Sequence, residues 1–208
     1  HTISAEDFVP YMGVGRCDLR IDIQQNDRIE ERAEAIAAYM EEDTEISQYC
    51  VLTTKTFSVK LENGTVENIK VELGDHTVFP VKCAEGRMPV SEREIALSSL
   101  NAEGWGKNIG DEMILITADG EKPLTVCGIY SDITNGGKTA KAVFTADSAQ
   151  TAWSIVGARL TDRGQLNSKV RLYAEQFAFA KVSSIEDYVT QTFGQTLRSV
   201  RTASLVSV

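Results

Sequence analysis

Imidazole is almost absent from this chain: His1 and His76 are its two histidines. The four cysteines, Cys17, Cys50, Cys83 and Cys127, lie far apart and form no C-x-x-C pair. Together these shortages leave no zinc ligand set of the usual spacing, and no metal or cofactor is expected. Positive charge is also in deficit, 21 Lys and Arg against 30 Asp and Glu, for a net charge of -9. That balance argues against a surface that tracks nucleic-acid phosphates. No run of about 18 apolar residues occurs, so no segment reads as a membrane-spanning helix. What remains is an ordinary globular composition, 42% hydrophobic and 25% charged, with enough apolar material for a real core. An even cysteine count permits disulfides in an oxidising compartment. The apolar, strand-like contexts of Cys17, Cys50 and Cys127 favour buried thiols.

The N-terminal residues up to Gly13 read as an extended lead-in. Gly13-Val14-Gly15 suggests a dinucleotide loop, but the third glycine position holds Asp18 and a strand follows. Leu19, Ile21 and Ile23 alternate with Arg20, Asp22 and Gln24, the period of a half-buried strand. Asn26-Asp27 opens a helix, Asp27 and Glu30 matching a capping box. Ile29, Ala33, Ile36, Ala37 and Met40 form its apolar face, and Glu30, Glu31, Glu34 and Glu41 its solvated one. Ile46 to Val59 and Val66 to Leu73 are strands joined by an Asn63-Gly64 hairpin turn. Residues 16–73 therefore read β-α-β-β.

From Gly74 to Ala146 short strands and turns dominate. A Gly86-Arg87-Met88-Pro89 turn precedes a strand at Ile95-Ala96-Leu97 and a short helix, Ser98 to Glu103. A glycine-rich corner at Gly104 to Gly106 leads into the strand Glu112 to Thr117, an Asp119-Gly120 turn and the strand Leu124 to Tyr130. Gly137-Lys138-Thr139 invites a P-loop reading. Asp132 stands where that loop needs its first glycine, and its carboxylate would repel a phosphate. The stretch Thr134 to Thr139 is better read as an exposed loop before Ala142-Val143-Phe144. Asn135, Gly136, Gly137 and Lys138 are its candidate partner-contact residues.

After Trp153 the β-α-β pattern returns: strand Ile155 to Leu160, helix Leu166 to Phe177, strand Ala178 to Val182. The helix carries Leu166, Val170 and Tyr173 on one face. Ser184-Ile185-Glu186-Asp187 starts a last helix, with Tyr188, Phe193, Leu197, Val200 and Leu205 as its apolar stripe. That helix would extend roughly 30 Å, and Arg198 and Arg201 near its end suit a membrane-proximal position. The absence of an initial Met and a stripe still running at Val208 read as signs of a fragment.

Three stretches taken in order carry a resemblance. They are Gly86-Arg87-Met88-Pro89 through Glu94-Ile95-Ala96-Leu97-Ser98, then Gly110-Asp111-Glu112-Met113-Ile114-Leu115, then Thr125-Val126-Cys127-Gly128-Ile129-Tyr130. Together they resemble the extracytoplasmic domain of ABC-transporter permeases of the FtsX-like, MacB type, and the loop from Asp132 to Ala140 is similar to a form in Gram-positive members. The resemblance is best over residues 85–146. It implies an α+β fold, with a split β-α-β "porter" part (1–73 and 147–185), an inserted β-rich "sabre" part (74–146), and a C-terminal helix (186–208) leading toward the membrane. It further implies a cell-membrane protein with this domain outside, no catalytic residues in it, an ABC ATPase partner and a second permease chain. Two other readings stand beside it. A hydrolase would use Ser98, Ser99 or a cysteine with His76, yet His76 and the adjacent Asp75 would point to opposite faces of a strand. A free-standing secreted binding module needs no flanking helices at all.

Overall fold

The computed structural model describes residues 8–24 and 27–194. The chain folds as α+β, one continuous sheet of ten strands with helices against part of it. In chain order these are β1 (Leu19–Gln24), α1 (Ile29–Glu41), β2 (Ile46–Lys60), β3 (Val66–Leu73), β4 (Glu85–Gly86) and β5 (Glu94–Ser98). There follow α2 (Ser99–Trp105), β6 (Glu112–Thr117), β7 (Gly120–Tyr130), β8 (Ala140–Ala142), β9 (Thr151–Leu160), α3 (Leu166–Gln176) and β10 (Lys181–Ser184). A final helix, α4, is described over 185–194. The stripe residues Leu197, Val200 and Leu205, with Arg198 and Arg201, lie outside the described residues.

The two distant β-α-β pieces share a sheet. Its order there is β10-β1-β9-β2, every neighbouring pair antiparallel. β1 and β2 therefore run parallel with β9 between them, the βαββαβ arrangement of a split ferredoxin-like sheet. One face buries Leu19, Ile21, Ile23, Val156 and Ala158 against α1 and α3, through Ile29, Ala33, Ile36, Met40, Tyr173 and Phe177. α1 holds this face by spacing alone. Its N-cap is Arg28 with no side-chain cap, so the expected Asp27–Glu30 capping box does not form, and Asn26 lies outside the described residues. Glu30 and Glu31 instead sit in the first turn, where the helix dipole favours them. Glu30 also reaches the buried Lys55 at 2.9 Å. A buried knot ties α3 to the turn after α1: Asp43 accepts from Lys169 at 2.8 Å and from the Tyr173 hydroxyl at 2.9 Å.

The second half of β2 belongs to a different structure. β2 pairs β3, β3 pairs β8, β8 pairs β5, β5 pairs β7, β7 pairs β6, and β6 returns to β2. Six strands thus close into a ring, which removes the edges that would recruit foreign strands. Its interior is filled by Phe57, Val59, Ile69, Val71, Ile95, Leu97, Met113, Leu115, Leu124, Val126 and Phe144. The ring draws on β2 and β3 as well as on residues 74–146. β3–β8 and β5–β7 are its parallel pairs.

Several local readings shift. The lead-in over Val9–Met12 is a 3₁₀ turn with Val9 and Pro10 buried, fixed when Met12 O accepts from Ile133 N at 3.0 Å. β8 comes two residues early because its partners in β3 and β5 meet Ala140–Ala142. β10 starts late because residues 177–180 are spent turning out of α3, with Ala180 N bonding to Phe177 O. At the start of α2, the Ser98 hydroxyl accepts from Asn101 N; at the start of α4, the Ser184 hydroxyl accepts from Asp187 N at 3.1 Å.

Candidate functional site

β1 carries the largest departure from the sequence reading. Arg20 and Asp22, expected on a solvated face, are each only 8% exposed. Cross-strand partners share a face of a sheet, so the register assembles polar rows on the side away from α1 and α3. One row runs Gln24, Trp153, Thr54, Glu72 and Lys141 across five strands. A second runs Lys181, Asp22, Ile155 and Leu52, and a third Ser183, Arg20, Gly157 and Cys50.

This face is roofed by the N-terminal turn, the segment around Phe79, the loop after β7, and α4. Two joined spaces remain beneath the roof. An inner cavity of about 50 Å³ reaches Cys17, Cys50, His76 and Lys141. An outer one of about 360 Å³ lies under α4, reaching Asp22, Lys181, Tyr188 and Gln191. Arg20, Thr134, Asn135 and Trp153 line both and mark the passage between them. The inner one mixes polar and apolar walls and has room enough for water.

Charge in these chambers is mostly spent internally. Arg20 bonds Asp22 at 3.0 and 3.1 Å, and its guanidinium lies 3.6 Å from the centre of the Tyr188 ring. Burial works against the Arg20 charge, but Asp22 outweighs it and the pKa rises. Lys141 bonds Glu72 at 2.7 Å. Burial pushes the Glu72 carboxyl up; Lys141 and His76 more than offset this and hold it below the usual value. His76 is 3% exposed, with Nε2 at 3.0 Å from Glu72 O and 3.1 Å from Ala142 O. With two carbonyls to satisfy, Nε2 carries the proton. Burial lowers the His76 pKa, with Glu72 opposing.

The loop Asn135–Lys138 is built by three successive left-handed residues, Asn135, Gly136 and Gly137, with φ of 50°, 72° and 75°. Asn tolerates that region through local hydrogen bonding, and glycine adopts it freely. Asp132 fixes the base, accepting from Thr134 N at 2.7 Å and from the Thr134 and Thr139 hydroxyls. The Thr139 hydroxyl meets that of Tyr130 at 2.7 Å. Asn135 and Gly136 are exposed and Gly137 is buried. The four residues part company here: Asn135 lines the chambers, while Lys138 lines a separate groove with Val66, Leu100 and Trp105. Lys138 is followed by β8, not by the helix a P-loop requires.

Of the residues weighed for hydrolysis, Cys17 and Cys50 share the inner cavity with His76, whereas Ser98 and Ser99 line neither chamber. Ser98 accepts from Thr139 N at 3.2 Å, Ser99 donates to Tyr130 O at 3.1 Å, and Asp75 holds the backbone and hydroxyl of Thr77. All four cysteines are free, Cys17 and Cys50 buried and Cys83 and Cys127 half-buried. Burial raises Cys17 to about 11, Cys50 to about 12 and Cys127 to about 11, which keeps them protonated and weakly nucleophilic.

Groups held below their ordinary pKa set an acid response, His76 and Glu94 among them beside Asp43, Glu72 and Asp75. His76 is neutral when folded, so the unfolded chain takes up the extra proton once pH falls below 6.5. Glu94, bonded by Arg87 and by the backbone of Val90 and Ser91, is held at about 2 against an ordinary 4.5. Both shifts make stability complete at neutral pH and remove it as pH falls. The thermal midpoint is expected to start declining below about pH 6.5 and to fall further below about pH 4.5. His76→Gln should flatten the upper part and Glu94→Gln the lower; a midpoint that rises on acidification would contradict both assignments.

Sequence reasoning missed Arg20, Asp22, Glu72, Lys141, Trp153 and Tyr188. A signal was present: Arg20 and Asp22 are opposite charges two residues apart on one strand, and so share a face.

No helix among the described residues is long and apolar enough to cross a membrane. No protein-family model matches the chain, and no curated protein matches it in sequence. Solved structures do. The periplasmic region of MacB from Actinobacillus actinomycetemcomitans superposes with a TM-score of 0.53 at 14% identity, over 88% of this chain and 94% of that one. The extracellular domain of YknZ, a noncanonic ABC-type transporter from Gram-positive bacteria, gives 0.50 at 14% identity, over 80% and 98%. At such identities the likeness is one of fold, and the chain has the fold of the MacB periplasmic region.

Proposed function

We propose that this chain is the extracytoplasmic domain of an ABC-transporter permease of the FtsX-like, MacB type. The observation that carries the reading is the two-way coverage of the fold match, which spans most of this chain and nearly all of a region that is itself the periplasmic part of MacB. The ordered motifs support it, since the Gly86 turn and the Thr125 to Tyr130 strand pair with each other at Gly86 and Gly128. In this reading the β-α-β halves (1–73 and 147–185) act as the porter-like part. Residues 74–146 form most of the sabre-like lobe, and the helix from 186 leads toward the membrane. The domain is not an enzyme. It passes on motion driven by ATP hydrolysis in a separate ABC ATPase, or engages a substrate or partner outside the cell membrane, beside a second permease chain. Asn135, Gly136, Gly137 and Lys138 are the proposed partner contacts.

The test is the whole gene product. Expressed with its neighbouring ATPase gene, it should fractionate with membranes, through spanning segments on both sides of residues 1–208, and co-purify with the ATPase. A full-length product lacking those segments would end the permease reading and restore the free-standing binding module.

A further inference from the structure

The outer chamber under α4 has a composition that the permease reading does not account for. Its walls combine aromatic surface, from Trp153, Tyr188 and Phe179, with the amide side chains of Gln24, Gln191 and Asn135. Amides of this kind offer a donor and an acceptor together, the complement of a peptide group. The acids that line the two chambers are all engaged: Asp22 by Arg20, Glu72 by Lys141, and Asp132 by Thr134 and Thr139. Two lysines balance this differently. Lys181 lines the outer chamber and Lys70 the inner, both are exposed, and neither makes an ion pair among the described residues. The Lys70 ammonium lies 5.0 Å from the Trp153 ring centre, at the passage. On a chain of net charge -9, the cations lining the two chambers, Arg20, Lys70, Lys141 and Lys181, outnumber the acids Asp22, Glu72 and Asp132 by one.

We infer that this chamber binds a short acidic peptide. One carboxylate of the peptide meets Lys181 in the outer chamber and another reaches Lys70 beside Trp153, an apolar side chain lies on Trp153, and the amides of Gln24, Gln191 and Asn135 take the peptide groups. The volume falls in the range of ordinary ligand sites, about 300–1,000 Å³, and exceeds what a lone inorganic anion fills. The inference deepens the permease reading by naming what the domain holds, and rests on that reading only for its biological setting. Absent flanking helices would end the permease reading and leave the cleft intact; a null titration would do the reverse.

The experiment is calorimetric titration of the 208-residue chain with acetyl-Phe-Glu-Glu, followed also by tryptophan fluorescence. The neutral peptide acetyl-Phe-Gln-Gln-amide and phosphatidylglycerol vesicles serve as comparisons. The acidic peptide should bind, more weakly as salt screens the exposed lysines, and the neutral one about tenfold less tightly, roughly 1.4 kcal/mol. Lys70→Gln with Lys181→Gln should lose about the same factor with an unchanged thermal midpoint, since both side chains are exposed. Trp153→Leu should abolish the fluorescence response and weaken binding. Equal binding of the neutral peptide, an unaffected double variant, or binding of vesicles but not peptide would each overturn the assignment.

Discussion

Alanine at Gly86 or at Gly128 is expected to destabilise the chain by about 3–5 kcal/mol, the range reserved for changes the structure cannot absorb. The two glycines face each other across β4 and β7. A Cβ on Gly86 would lie 2.1 Å from Cys127 O, and one on Gly128 would lie 2.2 Å from Arg87 O. Both obstacles are backbone atoms, so no rotamer change relieves either contact. The strands would have to separate, breaking the Arg87 N to Cys127 O bond of 2.9 Å. Gly86 also has φ of 69°, where a side chain adds strain of its own. For a chain of this length, about 3 kcal/mol corresponds to a fall of roughly 6–12 °C in thermal midpoint. Gly104→Ala is the control. It lies in α2 with nothing within 4 Å of the added Cβ, and should raise stability by about 0.4–1 kcal/mol. A wild-type midpoint for Gly86→Ala would mean that β4 does not pack on β7 in this register. The same geometry explains why both sequence motifs carry their glycine.

Arg20→Met should produce a loss of similar size for an electrostatic reason. It leaves the Asp22 carboxylate buried at 8% exposure without its cation; breaking such a pair from one side costs about 3–5 kcal/mol. It also removes the stacking of the guanidinium on Tyr188, worth about 1 kcal/mol and a tether for α4. The discriminating variant is Arg20→Met combined with Asp22→Leu. With no stranded charge, it should recover most of the loss, to within about 1–2 kcal/mol of the parent in urea unfolding. A double variant as unstable as the single one would show that the Tyr188 contact, rather than the buried charge, is what Arg20 supplies.

The sequence is most legible where local rules decide. α1 follows from the spacing of Ile29, Ala33, Ile36 and Met40. The β2–β3 hairpin follows from Asn63-Gly64, whose glycine has φ of 82° and whose asparagine side chain accepts from Thr65 N. β6 starts at Glu112 and ends at Thr117, as the alternation predicts. Legibility fails where pairing is remote. Closure of the six-stranded ring depends on Ser58 meeting Ile116 and on Val71 meeting Ala140, and neither contact has a local signature. The chambers were hidden for a related reason. Period-two alternation in β1 separates polar from apolar residues but cannot reveal that α4 and the loop after β7 later cover the polar side. Asn135 was reached through its glycine-rich context, whereas Trp153 and Tyr188 gave no cue until the register set them beside Arg20.

β2 is hydrogen-bonded to β9 over its first part and to β6 and β3 over its last. At about 3.3 Å per residue, its fifteen residues make a bar of about 50 Å. Neither half of the molecule can swivel against the other without tearing rungs from that ladder. A bulge between Thr54 and Lys55 marks the place where the strand changes partners, so any bend in the bar falls there.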